Sequence, residues 1–193
     1  MAVYTFKPDE YSSHMKIINF LGRLYNSKKY EILDIGCSKG FIGKNLKKNN
    51  FNFYGVDLNK EDLKEASKLY KSTKIIDLDK QKINFKNKKF DIIIMADVIE
   101  HLKNPEQKIL MIKKLLKKNG IFILSTANVA NLFIMLKLLL GNFDYEERGI
   151  LDKTHLRLFT RKTFRKLVLE NGFKVHKEEY TPIPLPMVSE VFT

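Results

Sequence analysis

The run Phe90-Asp-Ile-Ile-Ile-Met95 constrains the fold more than any other segment of this chain. Apart from Asp91 it is wholly apolar, and strands of that kind are buried on both faces. Two buried faces need helices on each side of the sheet, which argues for an α/β fold. The flanking sequence agrees. Residues 11–25 place Met15, Ile17, Ile18, Leu21 and Leu24 at the spacing of a helix with one buried face. Residues 30–35 read as a strand and 41–48 as a helix; 52–56 read as a strand ending at Asp57. Residues 60–70 read as a helix capped by Asn59, and 74–76 as a short third strand. Residues 105–118 begin with proline and carry a stripe of Ile109, Ile112, Leu115 and Leu116. That predicts a helix ended by Asn119-Gly120, followed by a fifth strand over 121–124.

Strand and helix thus alternate from Tyr30 to Ser125, which predicts a doubly wound, mostly parallel sheet with helices on both faces. Residues 160–171 read as a further helix with Thr160 as cap and Gly172 as stop, and 173–180 as an alternating strand. No repeat or linker divides residues 1–193, so a single domain is expected, with residues 1–28 as an N-terminal helical cover and 128–158 as a lid insertion. Three prolines between Thr181 and Pro186 break ladder bonding, so a seventh strand is short or missing. Either the chain is a piece of a longer protein or a partner covers that edge.

The net charge is +13, yet only five of the 35 basic residues are arginine. Such a charge suits nucleic acid, an anionic membrane or acidic ligands, but phosphate readers lean on the bidentate arginine fork. A well-solvated basic surface is the simpler reading. The one cysteine, Cys37, allows no internal disulfide and points to a cytoplasmic setting. Residues 1–9 lack the apolar core of a signal peptide. The longest apolar stretch, 129–140, is shorter than the roughly 20 residues a bilayer span needs.

Ligands of open α/β sheets sit at the carboxyl ends of the strands. The loop Gly36-Cys37-Ser38-Lys39-Gly40 falls there, between the first strand and a helix. Asp57 ends the next strand, where a carboxylate can accept both hydroxyls of a ribose. Loop and acid together indicate a nucleoside-bearing cofactor. A dinucleotide fingerprint needs G-x-G-x-x-G, whereas the glycines here fall at 36, 40 and 43. A hydrolase elbow, G-x-S-x-G, matches Gly36-x-Ser38-x-Gly40 literally, but the 29 residues before the strand hold no Gly-rich oxyanion segment.

The third reading is a resemblance. Asp34, Gly36 and Gly40 resemble the D-x-G-x-G-x-G motif of class I S-adenosylmethionine (SAM)-dependent methyltransferases, with Ser38 in place of the middle glycine. Gly55-Val56-Asp57 looks like the second motif of that family, and Ile76-Asp77-Leu78-Asp79 like its adenine-flanking segment. The segment from Phe90 through Asp97, Glu100 and His101 to Leu102 resembles its fourth motif, and 116–126 its turn and fifth strand. Residues 149–160, with Asp152, Thr154, His155 and Arg157, are similar to a bacterial subgroup associated with glycan and surface-polysaccharide biosynthesis. The resemblance spans residues 12–186. It implies SAM as cofactor, held by Asp34, Gly36, Cys37, Ser38 and Gly40 at the methionine end, Asp57 and Leu58 at the ribose, Asp77 and Leu78 near adenine, and Ala96 and Asp97 near the sulfonium. It implies methyl transfer to a small-molecule acceptor, an oxygen of a sugar, glycan or lipid-linked intermediate.

Methyl transfer mainly needs positioning, but an oxygen nucleophile also uses a general base, most often histidine. Of His14, His101, His155 and His176, the candidates are His101 after the fourth strand and His155 in the insertion; His176, alternating within a strand, reads as structural. Glu100-His101 alone is weak as a metal pair, so no metal is expected. Leu132, Phe133, Leu136, Leu139 and Leu140 form a helical stripe that would ordinarily pack on its own domain; the minority reading is a cover for a lipid-linked substrate or a foot on an anionic membrane. Two other functions compete. An RNA methyltransferase fits the charge but lacks an Asn/Asp-Pro-Pro-Tyr segment after the fourth strand, and a non-catalytic SAM-binding scaffold domain needs no acceptor at all.

Overall fold

A computed structural model describes residues 11–24, 28–47 and 50–181. Five strands form one sheet: β1 (Tyr30–Ile35), β2 (Phe51–Asp57), β3 (Ser72–Ile75), β4 (Phe90–Ala96) and β5 (Leu116–Ser125). Their order is β3-β2-β1-β4-β5 and every pairing is parallel. The reversal between β1 and β4 is the switch point at which ligands of such sheets bind. The helices are α1 (Ser13–Gly22), α2 (Phe41–Asn45), α3 (Lys60–Ser67), α4 (Pro105–Lys113), α5 (Leu132–Leu139) and α6 (Arg161–Glu170), with a 3-10 turn at Ile99–His101.

The alternation of strand side chains divides the core into two. Ile32, Phe53, Ile92, Ile94 and Ala96 pack with Ile17 and Leu21 of α1, Ile42 of α2 and Leu63 and Ala66 of α3. Leu33, Ile35, Tyr54, Val56, Ile93 and Met95 pack with Ile109 and Ile112 of α4 and Leu167 of α6. Every residue of β4 is buried, as its apolar run requires. The doubly wound sheet expected from the sequence is therefore present. Asn59 accepts bonds from the Glu61 and Asp62 N–H groups, and Thr160 forms a capping box with Thr163, both at the sites read from the sequence.

Some elements differ. α2 ends at Asn45, and part of the expected helix over 41–48 lies outside the described residues. α4 stops at Lys113, because Phe90 N–H donates to the Leu115 carbonyl and Phe90 pairs with Leu116. Sheet pairing thus overrides helix propensity, and residues between Leu116 and Ile121 bulge out of the ladder. Asn119, with φ of 61°, turns within this bulge instead of ending the helix. Residues 173–180 form no strand: Phe173 packs on Phe122, and Glu178 is drawn to Arg161 and Arg165 of α6. His176 is exposed there, so its expected structural role is not filled. The apolar stripe of α5 does not pack inward. Only Ile134 is buried, while Leu132, Leu136, Leu139 and Leu140 are exposed, the last two by 81% and 77%. Among the described residues, no helix is long and apolar enough to cross a membrane. The expected short or missing seventh strand lies outside them.

Candidate active site

The loop after β1 is built around close approach. Gly36 has φ of 74°, and a Cβ there would run into Val98 Cγ2. Only glycine fits without strain. Gly40 takes φ of 75° and starts α2. Between them Ser38 is also left-handed, at 44°, which explains how it occupies the position of a glycine. Its hydroxyl donates to Asp62 Oδ2 at 2.8 Å, and its N–H donates to Asp57 Oδ2 at 2.7 Å. Asp57 Oδ1 accepts from Asn59 N–H at 2.8 Å. Each carboxylate oxygen has a second lone pair, so Asp57 holds the loop and keeps acceptor capacity for hydroxyls. Leu58 follows it and is exposed at the strand end.

Asp34 lies beneath the loop, fully buried, and accepts a 2.6 Å bond from the Tyr70 hydroxyl. Burial pushes its pKa up to about 7, the Tyr70 bond opposing and Asp57 adding to the rise. Tyr70 also accepts from Gly43 N–H and stacks on Phe53, so it pins loop and α2 to the sheet. Cys37 is buried with its thiol pKa raised by burial, which leaves it an apolar filler against Gly55. Asp77 and Leu78 follow β3. Leu78 is buried in the core, and Asp77 pairs with Lys80 at 3.0 Å and caps its own turn through Asp79 N–H.

Ala96 closes β4, and Asp97 beyond it sits at φ of 52°. The Asp97 carboxylate accepts from Ser13 of α1 at 2.8 Å and from Ser125 of β5 at 2.6 Å. It therefore clasps the N-terminal helix to the rim, a tie that neither Ser13 nor Ser125 announces in the sequence. Next to it lies Glu100, 2% exposed. Burial raises its pKa to about 7, with the Asp97 charge second. Its Oε2 is buried and has no hydrogen-bond partner, while Oε1 accepts from Ala127 N–H.

The insertion after β5 folds back onto this rim. The N–H groups of Leu156 and Arg157 donate to the Glu100 carbonyl, and Arg157 Nη2 donates to the Lys103 carbonyl. His101 and His155 are thereby brought edge to face, ring centroids 4.8 Å apart. His101 Nδ1 lies 3.1 Å from the Thr154 carbonyl, and His155 Nδ1 lies 2.9 Å from the Ile150 carbonyl. A carbonyl only accepts, so each Nδ1 carries the proton and each Nε2 is left basic. Thr154 is itself fixed by donating its N–H and hydroxyl to the buried Asp152. Burial lowers the His101 pKa. Asp152 and Thr154 belong to this cluster although sequence reasoning assigned them no individual role, their place in the 149–160 segment being the available signal; Glu100, weighed only beside His101 as a metal pair, joins it through its backbone carbonyl. Among the described residues, no group of three or more histidine, cysteine or acidic side chains is arranged to hold a metal ion.

The glycine cradle, the buried acid beneath it and Asp57 at the neighbouring strand end form a set suited to an adenosine–methionine group. The model of a methyltransferase domain family matches residues 9–178. The ubiquinone biosynthesis O-methyltransferase of Rickettsia canadensis is 34% identical over 122 residues, covering 58% of this chain and 49% of that protein. The Pelagibacter ubique protein of the same name is 28% identical over 174 residues, covering 77% and 70%. The chain spans about half the length of the Rickettsia relatives it matches. These relatives carry a ubiquinone-biosynthesis name in place of the glycan subgroup expected from residues 149–160. Two solved structures share the fold. Magnesium protoporphyrin IX methyltransferase of Synechocystis, with bound SAH, has a TM-score of 0.68 at 19% identity, covering 90% of this chain and 78% of that one. A SAM-dependent methyltransferase of Clostridium acetobutylicum has 0.64 at 17%, covering 93% and 88%. The chain belongs to the SAM-dependent methyltransferase domain family.

Proposed function

We propose that this chain transfers a methyl group from SAM to an oxygen of a small-molecule acceptor, with the acceptor bound between the rim of β4 and the insertion over 128–158. The observation that carries this reading is the His101–His155 pair, two rings brought edge to face just after β4, each with its Nδ1 held at a backbone carbonyl. Bound SAM supplies an activated methyl group on a sulfonium. The protein's part is then to hold the acceptor in line, exclude water and take up the hydroxyl proton. Asp34, Gly36, Cys37, Ser38 and Gly40 would hold the methionine end, Asp57 and Leu58 the ribose, Asp77 and Leu78 the adenine, and Ala96 and Asp97 the rim near the methyl. One of His101 and His155 would be the base. Residues 1–193 would act as one domain, with the N-terminal helix as cover and 128–158 as lid.

The O-methyltransferase name of the relatives supports an oxygen acceptor. The exposed leucines of α5 favour one with an apolar tail, presented at a membrane surface, and the net charge of +13 of the whole chain suits an anionic bilayer. The test is a screen with methyl-labelled SAM against catechol and phenol quinone precursors, nucleotide-sugars, glycans and lipid-linked sugars, with tRNA as a control. Label on a phenolic or sugar oxygen supports the proposal. Label only on tRNA replaces it with the RNA reading. SAM binding without transfer to any class favours a scaffold domain.

A further inference from the structure

His101 and His155 both have Nδ1 at a backbone carbonyl, but they differ in what stands behind that bond. His155 Nδ1 meets the Ile150 carbonyl alone among the described residues. His101 Nδ1 lies 3.1 Å from the Thr154 carbonyl and 3.1 Å from the Thr154 hydroxyl oxygen. That hydroxyl has a single proton, and it is donated to Asp152 Oδ1 at 2.6 Å. Towards His101 the Thr154 hydroxyl can therefore only accept. The Thr154 N–H donates to the same Asp152 oxygen at 2.8 Å, so the residue is fixed at two points.

The acid belongs to the insertion and the ring to the rim. Asp152 is 8% exposed, and its backbone carbonyl accepts from His155 N–H. His101 ends the 3-10 turn after β4. The bonds from Leu156 and Arg157 N–H to the Glu100 carbonyl hold the two segments together, next to the residues concerned.

We infer that Asp152 and Thr154 are positioning residues that make His101, and not His155, the base: the Thr154 hydroxyl proton is committed to Asp152, so His101 Nδ1 must donate and its Nε2 lone pair is kept for the acceptor. The inference rests on the oxygen-methylation reading above and goes beyond it by choosing between the two rings. In the step, the acceptor O–H proton passes to His101 Nε2 as the acceptor oxygen bonds the methyl carbon. The C–S bond breaks with its electron pair left on sulfur, and His101 becomes an imidazolium. Burial and the neighbouring His155 work against that charge, whereas the Thr154 carbonyl, Asp152 and Asp97 work for it.

The test has two readouts. The first is the tautomer of His101, read from two-bond proton–nitrogen correlation spectra of isotope-labelled histidine rings at a pH where the ring is neutral. The signal lost in His101→Gln assigns it. The wild type should show the Nδ1–H form, and Asp152→Asn, which keeps an oxygen acceptor, should retain it. Asp152→Ala frees the Thr154 hydroxyl to donate to Nδ1, so the Nε2–H form should appear. The Nε2–H form in the wild type, or an Asp152→Ala spectrum identical to that of the wild type, would overturn the inference.

The second readout is turnover of a catechol with methyl-labelled SAM at saturation. Asp152→Ala should lower kcat by about tenfold or more while KM for the catechol stays within about twofold, and Asp152→Asn should recover part of the loss. His101→Ala should cost more than His155→Ala; the reverse order would overturn the choice of base. If the wild type methylates neither the catechol nor any other oxygen acceptor of the screen, the functional reading fails and the choice of base with it, while the tautomer spectra still decide whether Asp152 and Thr154 orient the ring. Thermal melting checks folding, and Asp152→Leu, close in shape to aspartate, replaces Asp152→Ala if that variant does not fold.

Discussion

His101 and His155 come from either side of β5 and the α5 insertion, yet their rings meet edge to face at 4.8 Å. The contact goes with the bonds from the Leu156 and Arg157 N–H groups to the Glu100 carbonyl, so the insertion is registered on the rim by main-chain bonds and the histidines follow. One ring is enough for a base. The other would orient it or contact the acceptor, and mutation separates the two roles.

His101→Ala and His155→Ala should each leave SAM affinity within about twofold of the wild type, because neither ring lines the cofactor loop. Turnover of the acceptor should fall by roughly 10²- to 10⁴-fold for the base and by less for its neighbour. Steady-state kinetics with saturating SAM decide which is which, and an equal, small effect of both would remove histidine from the chemistry.

Tyr70→Phe removes the donor to the buried Asp34 and the acceptor for Gly43 N–H. The loss should cost about 1–3 kcal/mol by leaving polar atoms unsatisfied. A lower urea midpoint with an unchanged slope is the expected result.

Asp91 receives the Lys117 ammonium at 2.7 Å, the Lys28 ammonium at 3.0 Å and Glu31 N–H at 2.9 Å, tying the edges of β1, β4 and β5 together. These partners overcome its desolvation and hold its pKa down at about 2. A depressed carboxylate stabilises the fold above its ordinary pKa of 3.8, and the gain is lost as the pH falls towards 2. Asp91→Asn should cost about 2 kcal/mol at pH 7 and little at pH 2. Thermal melts at both values measure the difference.

Glu100 has the opposite sign. Its pKa is raised to about 7, so the folded state favours the protonated acid. The penalty for ionising it grows as the pH rises from 4.5 to 7 and is complete above that. Glu100→Gln should therefore stabilise the chain at pH 8 relative to the wild type and have little effect near pH 4.5, again read from melting temperatures.

Much of the fold was legible because its signals are local. The apolar run of β4 predicted its own burial, Asn59 and Thr160 marked helix starts by cap chemistry, and Gly172 marked a stop. What failed depended on distant partners. The end of α4 is set by pairing of Leu116 with Phe90 across the sheet, which no helical stripe reveals. Residues 173–180 alternate like a strand but are held by arginine–glutamate pairs instead. The leucine stripe of α5 reads the same whether its face is covered or exposed. At the site, Asp57 and the glycines were placed by their positions at strand ends. Ser13 and Tyr70 were not, because only the packing of α1 and the position of Tyr70 after α3 bring them to the site.

SAM would be held by the loop from Asp34 to Gly40 and the acid at Asp57. Calorimetric titration of SAM into the wild-type chain and into Asp57→Ala tests it most directly. One site per chain is predicted, with affinity reduced roughly tenfold to a hundredfold in the variant through loss of the ribose acceptor and of the Ser38 anchor. SAM binding that is undetectable in the wild type, or equally tight in Asp57→Ala, would contradict it.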